Sequence, residues 1–308
     1  MSKKRRKVKT KGKAAIRKRA HRGTPLSPQG IGVLSSIPFQ NKPIQTAFLN
    51  GLATPGIYIN VQDGNGAGLG YDTNALTTGL TTLNLDPNVG LIVAVGGSIT
   101  HNAAMNDVGG ALMPFISIVG GKFGNFPNPG NGHFCGSICL QSVSHHALRI
   151  AKIKALFNIA TNDEICLLYN TNAAMHSNEV LLLKNSVPVT VDENTVNAGN
   201  VYAQAFNSIS QIQNPTIKAV IVSADPWFTQ TASNLVTAAN NWITQLPAQR
   251  AVCYCLQEYQ QYNPTPGKRL KYGPLLQDVY KALGQMAKAV LADPTAGSNE
   301  DATDVITT

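Results

Sequence analysis

The sequence predicts an α/β protein built from two parallel sheets flanked by helices. Short β-branched or apolar runs alternate with segments of helical spacing along most of the chain. A stretch rich in Gly, Pro and Asn, KFGNFPNPGNGHFCGS, divides this alternation into two series. Strands that alternate with helices favour parallel sheets, because the chain must cross back over the sheet between one strand and the next. The two series therefore predict two lobes.

The first series supplies four predicted strands and three predicted helices. The strands are IGVLSSI, GIYINVQD, VGLIVAVGG and LMPFISIVGG, and the helices are NKPIQTAFLNGL, YDTNALTTGLTTLNL and SITHNAAMNDVGG. VGLIVAVGG is continuously apolar, which is typical of a strand covered on both faces. In the first helix, Ile44, Phe48 and Leu52 recur on one face. Ser98 is the expected N-cap of the third helix.

The second series continues the alternation. Its predicted strands are EICLLYN, VPVTVDE, IKAVIVSAD and RAVCYCL, and its predicted helices are SHHALRIAKIKALFN, AAMHSNEVLLLKN, AGNVYAQAFNSISQI and WFTQTASNLVTAANNWITQL. A last helix is predicted over KYGPLLQDVYKALGQMAKAVLA, with Pro274 in its first turn.

The predicted organisation has five parts. They are a disordered basic arm at 1–22, a linker at 23–30, lobe 1 at 31–120 with about 251–294 returning to it in part, lobe 2 at 121–250, and a frayed polar tail at 295–308.

The basic arm carries most of the charge of the chain. Twelve of the 25 Lys and Arg residues lie within the first 22 positions, and no carboxylate precedes Asp63. The rest of the chain is slightly acidic, so the high isoelectric point describes the arm and not the fold. The arm predicts binding to nucleic acid or another polyanion, with an acidic membrane surface or a targeting role as alternatives. The predicted polyanion-binding residues are Lys3, Lys4, Arg5, Arg6, Lys7, Lys9, Lys11, Lys13, Arg17, Lys18, Arg19 and Arg22.

The compartment is predicted from export signals and cysteines. The basic stretch is not followed by the apolar stretch of a secretory or twin-arginine signal, and no apolar run reaches the roughly 18 residues needed to span a bilayer. An odd number of cysteines indicates reduced thiols. We therefore expect a cytoplasmic protein, or a nuclear one in a eukaryotic host. Cys135-x3-Cys139 and Cys253-x-Cys255 lack the further ligands that zinc requires, so no metal or cofactor is predicted.

A candidate site follows from the ends of the predicted strands, because ligands of open α/β sheets bind beyond the carboxyl ends. The first strand ends at Ser35 and Ser36, and Asn170 and Asp225 end two strands of the second series. The turn GGSIT brings two glycines, Ser98 and Thr100 to a helix N-terminus, where a carboxylate or another small anion can bind. Each feature also has a purely structural explanation, since Ser and Asp are favoured helix caps.

Two other features carry no predicted chemistry. The stretch DGNGAGLG at 63–70 lacks the lysine of a phosphate-binding loop and is predicted to be a surface loop. The adjacent His145 and His146 point in directions about 100° apart on a helix, so a ligand pair is disfavoured and a surface position is expected. No nucleophile motif or paired carboxylates indicate an enzyme.

Four stretches resemble the ABC-transporter substrate-binding protein family, and within it the branch that binds aromatic amino acids and related molecules. They are FLNGLATPGIYINVQDGNG with the following YDTNALTTGLTTLNLDPNVGLIVAVGGSITHNAA, then EICLLYNTNAAMHS, IKAVIVSADPWFTQTASNLVTAANNW and LKYGPLLQDVYKALGQMAKAVLADP.

The resemblance implies a two-lobed type I periplasmic-binding-protein-like fold that closes on a small ligand, each lobe being a parallel sheet flanked by helices. It implies ligand contacts at Ser35 or Ser36, Ser98, Thr100, Asn170, Asp225 and Tyr272. Family members usually end in a strand-like segment that crosses back between the lobes, and a polar tail takes its place in this sequence.

The leading hypothesis is a non-enzymatic, intracellular protein that binds a small ligand between its lobes, with an amino-acid-like molecule as one candidate, and holds a polyanion through its arm. One alternative is a ligand-free structural or assembly protein that binds nucleic acid through the arm. The other is an exported solute-binding component of a transporter.

Overall fold

The computed structural model describes residues 30–70, 72–107, 113–121, 133–160, 163–170, 190–196, 217–222, 224, 251–258 and 269–307. In chain order, the elements of this part are β1 (Gly30–Ser35), α1 (Pro43–Leu52), β2 (Ile59–Gln62), α2 (Thr73–Leu85), β3 (Val89–Val95), α3 (Ser98–Met105), β4 (Phe115–Gly121), β5 (Phe134–Gln141), α4 (Val143–Phe157), β6 (Glu164–Asn170), β7 (Thr190–Val196), β8 (Ile217–Val222), β9 (Ala251–Tyr254), β10 (Arg269–Gly273), α5 (Leu276–Ala292), β11 (Asn299–Asp301) and β12 (Val305–Thr307).

The strands form two six-stranded sheets. The first sheet has the order β11-β5-β4-β3-β1-β2, and all of its recorded pairings are parallel. The second has the order β12-β10-β9-β8-β6-β7 and is parallel except for β12, which runs antiparallel to β10 at one edge. The predicted α/β fold with two parallel sheets is confirmed, and it has an antiparallel edge strand that the sequence did not indicate.

The central strands of the first sheet are buried on both faces. Every residue of β1 and β3 is buried, as the continuous apolar run of β3 predicts. One face packs against α2 and α3 through Leu76, Leu80 and Phe115. The opposite face belongs to a larger cluster of buried side chains that includes residues of both sheets.

Helix α5 returns to the first sheet and packs directly on α1. Gly51 of α1 faces the backbone of Lys281, and Gly284 of α5 faces the backbone of Phe48; a Cβ on either glycine would overlap those backbone atoms. The two helices therefore approach at backbone distance.

Three predictions about individual elements are wrong. The Gly-rich stretch predicted as a lobe crossing, residues 122–137, ends with the first four residues of β5, which pairs with β4, so the first sheet extends past the predicted boundary at residue 120. The predicted last helix begins five residues later than expected, at Leu276, because residues 269–273 form β10. Pro274 therefore precedes the helix instead of lying in its first turn.

The tail predicted to be frayed at 295–308 is instead paired. β11 joins β5 of the first sheet, and β12 joins β10 of the second. Main-chain hydrogen bonds from the existing edge strands stabilise these three-residue segments, which are too short for an apolar pattern to predict. The end of the chain thus crosses between the sheets.

The two adjacent histidines begin α4 and are not both on the surface. Ser142 accepts a hydrogen bond from the His145 N–H, and His145 Nδ1 accepts one from the Ser142 N–H, which makes a reciprocal cap. The His146 side chain is fully buried, contrary to the predicted surface position.

Among the described helices, none combines the length and the apolar composition that a membrane-spanning segment requires.

Candidate ligand-binding site

The carboxyl ends of β1 and β3 meet at a glycine turn. The Ser36 N–H donates to the Val95 carbonyl at 3.2 Å, and the Ser36 hydroxyl donates to the Gly96 carbonyl at 2.9 Å. Gly96 and Gly97 have φ angles of 101° and 97°, where side chains are disfavoured. A Cβ on Gly96 would also overlap the Ser36 Oγ, so both backbone angle and space require glycine at this position.

Helix α3 begins directly at this turn with Ser98. The N-cap is Gly97, not Ser98 as predicted, and no side chain caps the helix. The N–H groups of the first turn have no acceptor within the helix, and the helix dipole places partial positive charge there. This end of α3 is suited to bind a carboxylate or another small anion.

The Ser98 hydroxyl is a buried polar group without a partner. The residue is 5% exposed, and its Oγ makes no hydrogen bond within the described part of the chain. Leaving such a hydroxyl unsatisfied costs about 1–3 kcal/mol, so proteins seldom retain one without a functional or hydration partner.

The other two predicted hydroxyls of this region are already bonded. The Ser35 Oγ donates to the Ile37 carbonyl at 2.7 Å, and the Thr100 Oγ1 lies 2.8 Å from the Gly97 carbonyl and 2.9 Å from the Val95 carbonyl. These two side chains fix the turns around Ser98. Of the predicted hydroxyls near the glycine turn, only Ser98 has no hydrogen-bonding partner in the described residues.

The remaining predicted contacts lie elsewhere or outside the described residues. Asn170 is the last residue of β6, and Tyr272 lies on β10 with its carbonyl bonded to Arg149. Asp225 and all twelve basic residues of the arm fall outside the described residues.

The loop at 63–70 forms one side of the turn region, a placement that sequence reasoning missed. The buried Asp63 carboxylate accepts hydrogen bonds from the N–H groups of Phe39, Gln40 and Gly66 at 2.6–2.9 Å. The loop backbone then donates to the carbonyls of Ser35 and Ser36. An isolated aspartate at the start of a glycine-rich loop was the available signal, but two of its three partners, Phe39 and Gln40, lie more than 20 residues earlier in the chain.

His101 lies one turn along α3 from the candidate site and is a structural residue. Its Nδ1 is 2.8 Å from the Ser117 Oγ, and its ring packs against Phe115 and Phe134. Burial lowers the pKa of His101 to about 4, so the ring is neutral at physiological pH.

Glu258 is a second buried group that the sequence did not single out. Its Oε1 accepts from the Leu276 N–H at 2.7 Å and so caps α5, whereas its Oε2 is buried and unpartnered within the described residues. Burial raises the pKa of Glu258. Tyr280, whose pKa is raised by burial and secondarily by the Glu258 carboxylate, packs against Phe39 just beyond β1.

No cluster of three or more potential metal ligands occurs among the described residues. Cys135, Cys139, Cys253 and Cys255 are buried thiols that are not joined in disulfides. Burial raises the pKa of Cys135 to about 11, which keeps that thiol protonated.

Comparison with known proteins identifies the fold. No family model matches the sequence, and no curated protein matches it. Among solved structures, an ABC domain from Streptococcus pneumoniae in complex with L-Trp has 16% identity and a TM-score of 0.62 over 90% of each chain.

Two further structures have the same architecture. A solute-binding protein of an ABC transporter from Agrobacterium vitis, bound to α-D-tagatopyranose, has 12% identity and a TM-score of 0.60 over 91% of this chain and 94% of its own. The trehalose repressor of Escherichia coli has 11% identity and a TM-score of 0.53 over 91% and 100%. The chain therefore has the two-lobed type I periplasmic-binding fold that is shared by ABC solute-binding proteins and LacI-type regulators.

Proposed function

We propose that this protein binds a small ligand at the glycine turn and is not an enzyme. The observation that carries the proposal is the buried, unpartnered Ser98 hydroxyl at the uncapped N-terminus of α3. A ligand oxygen placed there would accept from the hydroxyl and from first-turn N–H groups, and it would remove the cost of the unsatisfied group.

An amino-acid-like ligand fits this chemistry. Its carboxylate would lie at α3, and its ammonium group would need a carboxylate partner. Asp225 is the partner predicted from the sequence, and the unpartnered Oε2 of Glu258 is a second candidate. Both an L-Trp complex and sugar complexes occur among the similar structures, so a ligand panel must contain both classes.

A thermal-shift screen tests the proposal. The panel contains the twenty common amino acids, tagatose, ribose and xylulose. A ligand at about 100 times its Kd adds about 2.7 kcal/mol to the free energy of unfolding, which raises Tm measurably. We expect at least one amino acid to raise Tm.

The matched variants are Ser98→Ala and Thr77→Ala. Thr77 is an exposed α2 residue whose hydroxyl bonds to the Thr73 carbonyl, so its removal controls for loss of a hydroxyl. Ser98→Ala should weaken the apparent affinity for the ligand about tenfold and so reduce the Tm shift. Thr77→Ala should leave the Tm shift unchanged. An unresponsive wild type, or equal shifts in both variants, would reject the proposed site.

We also propose that the basic arm holds the protein on nucleic acid or another polyanion, inside the cell. The twelve cations without an intervening carboxylate support this. Deleting residues 2–22 should abolish retention on duplex DNA at low salt, and binding by the full chain should weaken with salt by a log–log slope of up to about −0.9 per phosphate.

Three further observations on the full chain distinguish the alternatives. Retention on anionic lipid vesicles but not on DNA would replace nucleic acid with a membrane surface as the partner. Recovery of the protein from a periplasmic fraction without residues 1–22 would support the exported solute-binding component instead. A ligand-free assembly protein would bind DNA but respond to no member of the thermal-shift panel.

A further inference from the structure

Three connections join the two sheets. One buried arginine lies on the helix that follows the first connection, and it contacts the other two. The first connection runs from β5 into α4 at Ser142, the second from β10 into α5 at Pro274–Leu275, and the third from β11 into β12 at Ala302–Asp304. Arg149 of α4 is completely buried.

The contacts of Arg149 are specific and charge-assisted. Its Nε donates to the Tyr272 carbonyl at 2.6 Å, next to the second connection. Its Nη2 donates to both Asp304 oxygens at 3.0 and 3.1 Å, and Asp304 belongs to the third connection. We name Arg149, Tyr272 and Asp304 the hinge clasp. A planar guanidinium can make these directed bonds at once, which a lysine ammonium on a flexible stem cannot reproduce.

A neighbouring glutamine reinforces the same side of the connections. The Gln257 Nε2 donates to the Gly273 carbonyl at 3.1 Å and to the Val305 carbonyl at 2.6 Å. The second and third connections are therefore linked twice where they meet the second sheet.

The third connection is also anchored to the first sheet. The Ala302 N–H donates to the Cys139 carbonyl of β5 at 2.8 Å. Only Thr303, which is exposed, separates this anchor on the first sheet from Asp304 in the clasp. The segment that can bend in this connection is thus about one residue long.

We propose that the hinge clasp fixes the three connections to each other at the second sheet, so that they move as one unit. Relative rotation of the sheets is then confined to Ser142, Pro274–Leu275 and Thr303. The clasp is a positioning device: it touches no ligand at the glycine turn, and it sets the axis about which the protein opens and closes.

Native-state hydrogen exchange on the full chain tests this proposal. Removing the charge of Asp304 leaves the buried guanidinium poorly compensated. In Asp304→Asn, we expect amide exchange to accelerate at least about tenfold in three segments together: 140–150, 269–276 and 300–306. Exchange in β1 and β3 should be unchanged. Leu148→Ala, at an exposed neighbour of Arg149 on α4, is the control and should accelerate none of the three segments.

Arg149→Lys is a second variant for the case in which Asp304→Asn does not fold, because lysine keeps the positive charge beside Asp304. It should accelerate the same three segments by a smaller factor. Acceleration confined to α4 would show that Arg149 stabilises only its own helix, and uniform acceleration that includes β1 and β3 would show a general loss of stability. Either result overturns the proposal.

Discussion

The hydroxyls of Ser117, on the first sheet, and Ser98, on helix α3, differ in their hydrogen bonding. The Ser117 Oγ lies 2.8 Å from the His101 Nδ1 of α3, in an aromatic environment. Ser98, at the beginning of the same helix, is equally buried and has no partner in the described residues. The first arrangement stabilises the fold, whereas the second is costly unless a ligand completes it. The unsatisfied Ser98 hydroxyl at the glycine turn therefore marks the candidate site, and the satisfied Ser117 hydroxyl marks structure.

The largest effect is expected at the fully satisfied Asp63. In Asp63→Asn, the side chain keeps one acceptor oxygen and turns an NH2 group toward backbone N–H donors. We expect the free energy of unfolding to fall by about 3 kcal/mol, measured by urea denaturation.

Asp72→Asn is the matched control for this change. Asp72 is an exposed N-cap that accepts from Asn74 and Ala75, and asparagine caps helices about as well as aspartate. It should cost only a few tenths of a kcal/mol. Equal losses for the two variants would mean that the buried position of Asp63 contributes nothing.

The His101–Ser117 pair predicts a pH dependence. The unfolded chain protonates His101 near pH 6.5, but the folded protein does so only near pH 4. Below pH 6.5 the unfolded state therefore binds more protons, so this residue lowers stability as pH falls from 6.5 to 4, by about 3 kcal/mol in total.

His101→Gln keeps a hydrogen-bonding group beside Ser117 but does not titrate. The difference in unfolding free energy between wild type and variant should change by about that amount over the same pH range. Parallel curves for the two proteins would show that His101 titrates normally in the folded state.

The sequence predicted the elements whose signal is local. β3 is continuously apolar and α1 has a clear apolar face, and both form where expected. β10 and β11 were missed because RLKYG and NED carry little apolar pattern, and β12 was missed because VIT is only three residues long. All three strands owe their conformation to pairing with neighbouring strands. β5 was missed because its first residues, which include Gly136 and Ser137, follow a stretch typical of a loop.

The sequence predicted where the candidate site lies but not which of its hydroxyls form hydrogen bonds. Strand ends indicated Ser35, Ser36, Ser98 and Thr100 as a group. Whether a hydroxyl is hydrogen-bonded depends on carbonyls up to 60 residues away, as in the bond from Ser36 to Gly96. The hinge clasp could not be predicted from the sequence for the same reason, since Arg149 and Asp304 are 155 residues apart.

The most direct measurement is the free energy of unfolding of ligand-free Ser98→Ala beside Ser117→Ala. Removing an unsatisfied hydroxyl should stabilise the protein by about 1 kcal/mol, and removing the bonded Ser117 hydroxyl should destabilise it by about 1–2 kcal/mol. A loss of stability in Ser98→Ala similar to that in Ser117→Ala would contradict a ligand-binding role, because the Ser98 hydroxyl would then have a structural partner.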